Sequence, residues 1–284
     1  MNSKLLNNGK KMPQLGFGVY QIPLADTAEA VYQAIKIGYR LIDTAISYGN
    51  EVQTGQGIQR AIAEGLVQRE ELFITTKLFI QQMGEEKATQ AIQQSLINMN
   101  LDYLDLYLIH QPYGDIYGAW RALAAAQEKG LVRSIGLSNF DSAKLIEFVK
   151  MNEVAQPQVN QIEVNPWNQQ QEAVSYHKMC DVQMEAWAPF AEGRHELFTN
   201  ETLAGIGRKY NKTVGQVVLR WLMQRGIIAL AKSVNPERMA ENFAIFDFEL
   251  SAEDLALIAQ LDQKESAFFD HHDPERVKWF MERL

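Results

Sequence analysis

The chain is nearly without cysteine, has no long apolar run, and carries none of the glycine signatures that announce a phosphate-binding turn. Cys180 is its one cysteine. That excludes an intramolecular disulfide and any multi-thiolate metal site, and it fits a reducing compartment. No stretch is apolar enough to span a bilayer, and Met1 to Lys11 hold no run fit for a signal peptide. These features predict a soluble cytoplasmic protein. Basic residues are also in the minority, 27 Lys and Arg against 35 Asp and Glu, for a formal charge of −8. Such a balance argues against nucleic acid or a membrane surface as partner, so an anionic ligand must find a local basic cluster. Gly16-Phe-Gly-Val-Tyr-Gln and the Gly55/Gly57 and Gly205/Gly207 pairs fail to complete Gly-x-Gly-x-x-Gly. An open, doubly wound sheet with a glycine-rich turn after its first strand is therefore the weaker architecture.

What is present is enough apolar sequence, 46% of 284 residues, for a large core. No Pro/Gly/Ser-rich linker divides it, and residues 1–284 read as a single domain. Residues 4–15 read as a hairpin around Asn8-Gly9. Strand and helix patterns then alternate. A strand at Leu15–Gly18 precedes a helix opened by an Asp26/Glu29 capping box. The run from Gly38 ends at Asp43, and Asn50 caps the helix over 51–66. Further strands read at 72–76, 103–109, 132–137, 159–162, 182–187 and 227–230, with helices between them. One of those helices carries Ala88, Ala91, Ile92, Ser95, Leu96 and Met99 on one face. Eight strand–helix units predict the α/β class and a closed (β/α)8 TIM barrel, with an N-terminal β-hairpin and a C-terminal helical tail. The tail helix opens at Asp273-Pro274 and places Val277, Phe280, Met281 and Leu284 on one face.

Polar residues of unlike chemistry close three consecutive apolar runs. Asp43 ends the first and Tyr48 follows it, Lys77 ends the second, and His110 ends the third. Singly they have plainer uses as a helix cap, loop packing, a snorkelling lysine and a structural histidine. On neighbouring parallel strands they would share one rim. An unperturbed phenol, with pKa about 10, is a poor acid at neutral pH. An ammonium about 4 Å away, at an effective dielectric of about 20, favours the phenolate by roughly 4 kcal/mol, or about three pK units. Lys77, held by Asp43, is thus expected to sensitise Tyr48 as a general acid, with neutral His110 orienting a carbonyl. No nucleophile–base pair and no metal cluster is legible. The pattern protonates an oxygen while a separate donor supplies hydride.

The remaining clusters suit a nicotinamide donor. Ser138, Asn139 and Gln161 offer groups that match a carboxamide, and Trp187 offers a flat face for stacking. Lys232-Ser233-Val234-Asn235-Pro236-Glu237-Arg238 runs into a helix carrying Glu241 and Asn242. This basic helix start is suited to the 2′-phosphate of NADP(H). By itself the same cluster would also serve a sugar-phosphate isomerase.

These motifs together resemble the aldo-keto reductases over essentially the whole chain. The resemblance rests on Gly38-Tyr-Arg-Leu-Ile-Asp43-Thr-Ala, Tyr48-Gly-Asn-Glu51, Thr76-Lys77-Leu, Ile109-His110-x-Pro112, Gly136-Leu-Ser-Asn-Phe140, Asn160-Gln161-Ile-Glu-Val-Asn165-Pro166, and Lys232-Ser233 through Asn242. Glu-Ala-Trp187-Ala-Pro-Phe and the Phe-Phe-Asp-His-His tail are similar to the bacterial branch of 2,5-diketo-D-gluconate and glyoxal reductases. The resemblance implies an oxidoreductase, usually monomeric, that binds NADPH/NADP+ across the barrel mouth and reduces a small carbonyl substrate. It implies Asp43, Tyr48, Lys77 and His110 as the catalytic tetrad. It also implies cofactor contacts from Ser138, Asn139, Gln161, Trp187, Lys232, Ser233, Arg238 and Asn242. Gln111 stands where the family usually has Trp, and Phe79 where Trp is frequent. With Tyr20 and Tyr113 these are the expected substrate-pocket residues. Asn235 stands where a second basic residue is frequent, which predicts a milder preference for NADP(H). The alternative reading is a catalytically weak NADP(H)-binding sensor on the same barrel.

Overall fold

The computed structural model describes residues 2–282; Leu284, assigned above to the tail-helix stripe, lies outside them. Strands β1 (Ser3–Leu5) and β2 (Lys11–Pro13) form an antiparallel hairpin. From β3 (Leu15–Gly18) onward the chain alternates: α1 (Leu24–Ile37), β4 (Leu41–Asp43), α2 (Glu51–Ala63), β5 (Phe73–Leu78), α3 (Glu85–Met99) and β6 (Leu106–Ile109). It continues through α4 (Ile116–Glu128), β7 (Ile135–Ser138), α5 (Ser142–Met151), β8 (Val159–Glu163), α6 (Gln171–Met179) and β9 (Gln183–Trp187). Two helices, α7 (Glu201–Tyr210) and α8 (Val214–Gln224), precede β10 (Ile228–Ala231). Then come α9 (Pro236–Phe243), α10 (Ala252–Ala259) and the tail helix α11 (Pro274–Met281). Strands β3 to β10 close into a parallel barrel in sequence order, β10 pairing with both β9 and β3.

The two-residue period of a strand divides each one between barrel interior and helix layer. Leu41, Phe73, Leu106, Leu108, Val159, Ile228 and Leu230 cluster inside the barrel with Leu6 and Met12 of the hairpin. The hairpin therefore stoppers the end where the strands begin. Nearer the other end the same inward positions become polar: Asp43, Lys77, Ser138, Gln161 and Glu185, each buried. The α3 stripe expected from spacing is the set the helix buries.

Three local expectations fail, each for a physical reason. In the hairpin Gly9 alone is left-handed, at φ 80°, and its N–H closes on Leu6 O, so the turn spans Leu6 to Gly9 rather than centring on Asn8-Gly9. Helix α1 starts after Pro23, whose ring offers no capping group, so Asp26 falls inside the first turn and Glu29 bonds to Arg60 and Gln33 instead. Asn50 precedes α2 but does not cap it. Its side chain instead accepts from Thr44 Oγ1 at 2.9 Å and donates to Val19 O at 3.0 Å, tying the loop after β4 to the loop after β3.

Helices α2 and α3 meet at a glycine. A Cβ on Gly55 would lie 2.5 Å from the Met99 backbone, whereas one on Gly205 in α7 would meet only the Arg208 guanidinium at 3.6 Å. Gly55→Ala is therefore expected to destabilise by about 1–3 kcal/mol through forced separation of the helices. Gly205→Ala is expected to stabilise by about 0.4–1 kcal/mol by restricting the unfolded chain. Urea unfolding of the two variants checks both signs.

Candidate active site

Beyond β4 the chain turns back on itself over the barrel mouth. A short 3-10 turn, Ile46–Tyr48, is reversed by Gly49 at φ 70°. Asn50 fastens it underneath, which brings the Tyr48 phenol over Lys77. Lys77 is fully buried, and its Nζ donates to Asp43 Oδ1 at 2.5 Å, to Thr44 O at 2.9 Å and to Tyr48 Oη at 3.3 Å. An ammonium has three N–H bonds, so these contacts use them all. His110, just past β6, packs its ring edge-on to Tyr48 with centroids 5.7 Å apart. Its Nδ1 lies 3.4 Å from Ser47 Oγ. With that hydroxyl donating to Nδ1, the ring proton sits on Nε2, where it can be given to a ligand.

The electrostatics correct one expectation. Burial pushes the Tyr48 phenol up to about 12, outweighing the lowering by Lys77, and the nearby Asp43 carboxylate raises it further. Lys77 does not bring the phenol towards neutrality because the cost of burying a phenolate exceeds its attraction. Burial by itself would depress Lys77, but the contacts with Asp43 and Tyr48 carry it above its usual value, so it stays an ammonium. Burial raises Asp43, and Lys77 and Gln161 work against that rise. His110 is held well below its usual value by burial, then by Lys77 and His271, and is neutral.

Strands β7, β8 and β9 bring the other predicted residues to the same mouth. Ser138 Oγ donates to Gln161 O at 2.8 Å, and Asn139, left-handed at φ 62°, donates to His110 O at 2.9 Å. Trp187 Nε1 donates to Asn139 Oδ1 at 2.9 Å, which fixes the indole beside the site. Gln161 Nε2 donates to Asp43 Oδ2 at 3.0 Å and to Glu185 Oε2 at 2.9 Å. The basic segment lies farther out, after β10. Lys232, Val234 and Arg238 are exposed, and Asn235 caps α9 by accepting from the N–H groups of Glu237 and Arg238. Ser233 Oγ accepts from Asn235 N at 3.0 Å, Glu241 accepts from Thr213, and Asn242 is buried against Gly215.

The expected pocket residues divide. Tyr20 packs on Tyr48 with ring centroids 4.8 Å apart and the planes tilted, and Phe79 lies 5.5 Å from His110, so both wall the mouth. Tyr113 instead holds the tail, donating to His271 O at 2.6 Å and packing on Phe280. Gln111 is buried, and its Oε1 has no hydrogen-bond partner among the described residues. Spacing did not single out Glu163 or Glu185. Glu163 fastens the tail through Ser266 Oγ at 2.5 Å and Ala267 N at 2.9 Å. Glu185 is a carboxylate at the inward parity of Trp187, and that was the available signal.

Burial, followed by the charge of Asp43, pushes Glu185 up to about 8 from an ordinary 4.5. A raised folded-state acid keeps its proton where the unfolded chain has lost it, so stability falls as pH rises from about 4.5 to about 8. Glu185→Gln, which carries no titrating proton, is expected to remove that part of the decline. Urea unfolding of both proteins at pH 5 to 9 should show the difference widening up to about 8 and then levelling.

Comparison with known proteins agrees with this geometry. The Aldo/keto reductase family model matches residues 13–263. The chain is 45% identical to the glyoxal reductase of Bacillus subtilis (strain 168) over 262 residues, 92% of each chain. It is 41% identical to the methylglyoxal reductase DkgA of Salmonella typhimurium, over 91% of this chain and 92% of that one. Among solved structures, the Bombyx mori aldo-keto reductase in complex with NADP superposes with a TM-score of 0.89 at 37% identity, over 98% of this chain and 96% of that one. With eight strands closed in sequence order and that likeness running nearly end to end, the chain belongs to the aldo/keto reductase family.

Proposed function

We propose that this protein reduces aldehydes, ketones or α-dicarbonyls to alcohols with NADPH, and that Tyr48 supplies the proton. The observation that carries the reading is the single ammonium, Lys77, in contact with both Asp43 and Tyr48 at the mouth of the barrel. Relatives named as glyoxal and methylglyoxal reductases make small α-dicarbonyls the first substrates to try.

The donor set fits the cofactor. Gln161 has both amide hydrogens engaged and can offer its carbonyl oxygen to a carboxamide. Trp187 offers an indole face, and Lys232 and Arg238 offer exposed cations to a phosphate. Ser138 and Asn139 complete the nicotinamide side, with Ser233, Val234, Asn235, Glu241 and Asn242 on the adenosine side. NADPH, when bound, supplies the hydride.

The chain's own part is to orient the carbonyl and deliver a proton. Neutral His110 donates to the carbonyl oxygen and holds it against the Tyr48 hydroxyl. As charge builds on that oxygen it approaches hydroxide in basicity and becomes a far stronger base than a phenolate. A phenol at about 12 is still the stronger acid, so proton transfer runs downhill without prior sensitisation. Lys77 then stabilises the phenolate that is left. Tyr20 and Phe79 exclude water from the reacting face. We take residues 1–284 as one barrel domain, monomeric and cytoplasmic; the lone thiol of Cys180 supports that compartment.

Absorbance of NADPH during turnover of glyoxal and methylglyoxal tests the reading. Tyr48→Phe is expected to lower kcat by about 10² to 10⁴ while NADPH still binds. Undiminished turnover in that variant would remove Tyr48 from the role. Lys232→Ala and Arg238→Ala together are expected to raise the KM for NADPH by roughly 10- to 100-fold and leave NADH unaffected, as loss of charge-assisted contacts to one phosphate requires.

A further inference from the structure

The mechanism leaves a buried carboxyl beside the Asp43–Gln161 contact without a task. Glu185 sits at the centre of β9, wholly buried, in register with Gln161 on β8. Its Oε2 accepts from Gln161 Nε2 at 2.9 Å, and the same nitrogen donates to Asp43 Oδ2 at 3.0 Å. A primary amide has two N–H bonds and one carbonyl. Both N–H bonds of Gln161 therefore end on carboxyl groups. Turned over, the amide would set its own oxygen against Asp43 Oδ2 and take from Glu185 Oε2 the N–H it now accepts. With Asp43 as its only partner it would be far less constrained, since the terminal torsion of a glutamine is broad.

Glu185 is also a costly residue for this position. Its Oε1 is buried and has no hydrogen-bond partner among the described residues. An apolar side chain of similar volume would remove that atom, at the cost of the acceptor for one Gln161 N–H. Packing alone therefore does not account for a carboxyl here, whereas orienting the neighbouring amide does.

We propose that Glu185 is a positioning residue for cofactor recognition, locking the Gln161 amide so that its carbonyl oxygen is what meets the carboxamide N–H of the nicotinamide. The proposal rests on the NADPH reading above. It assigns to Glu185 no contact with the substrate or the cofactor. Its effect is confined to the nicotinamide end and does not reach the phosphate end of the binding site.

Calorimetric titration of wild type, Glu185→Gln and Glu185→Met with NADPH and with 2′-phospho-ADP-ribose, which lacks the nicotinamide, tests this. Glu185→Met is expected to weaken NADPH about tenfold, the scale of one orienting hydrogen bond, and to bind the fragment like wild type. Glu185→Gln, whose amide oxygen still accepts from Gln161, is expected to stay within about twofold of wild type for both ligands. Glu185→Ala, which leaves space rather than strain, makes the same comparison if the methionine variant does not fold. Equal weakening of both ligands would reveal a structural role and overturn the proposal. So would unchanged NADPH binding in the apolar variants, or a glutamine variant as weak as methionine. A wild type that fails to bind NADPH at all would refute the cofactor reading itself, an outcome separate from these.

Discussion

The contact between Lys77 and Asp43 is the constraint around which the barrel mouth is arranged. A lysine with no exposed surface can stay charged only if its donors are all met and a carboxylate stands beside it. Parallel pairing of β4 with β5 meets that condition. Asp43 lies opposite Thr75, so Lys77, one inward step farther along β5, reaches back across to it. Removing either partner alone would leave an uncompensated charge, a loss of about 3–5 kcal/mol in comparable buried pairs. The depth that makes this contact necessary also explains why Tyr48 is not acidified: burial of the phenol outweighs the lowering by Lys77, and the Asp43 carboxylate adds to the rise.

The interior of the barrel separates stability from chemistry along its axis. At the strand starts Leu6 and Met12 of the hairpin complete an apolar plug with Leu41, Phe73, Leu106 and Val159. At the other end Asp43, Gln161 and Glu185 form a row across β4, β8 and β9, bridged by one amide nitrogen. Because the row is hydrogen-bonded through Gln161, the residue that would face the nicotinamide and the residue that holds Lys77 are mechanically one unit. Low dielectric strengthens these bonds and makes any unpaired member expensive.

The tail is fixed by the strand ends it covers. Glu163 at the end of β8 accepts from Ser266 and Ala267, and the Tyr113 hydroxyl donates to the His271 carbonyl. Phe280 of α11 then packs against Phe79 and Tyr113. The wall beside His110 is thus built in part from a distant stretch of the sequence. Gln111 lies buried in this region with an acceptor unmet, the kind of group a hydroxyl-bearing ligand would satisfy.

The barrel, its strand order and the three polar run ends were legible in the sequence, because hydrophobic period and chain alternation are local properties. Strand limits shifted by a few residues, since ladder hydrogen bonds decide them and composition does not. Asn50 shows what spacing misses: it looks like a helix cap, but two distant loops compete for its side chain. Lys77 and Tyr48 were named together correctly, yet the direction of the phenol's shift was not, because desolvation depends on everything packed around a group. By itself the sequence determined that Asp43, Tyr48, Lys77 and His110 reach the mouth. Only the tertiary structure decided which of them touch, how deeply each charge is buried, and that Glu185 stands among them, because those depend on registers and closures between strands far apart along the chain.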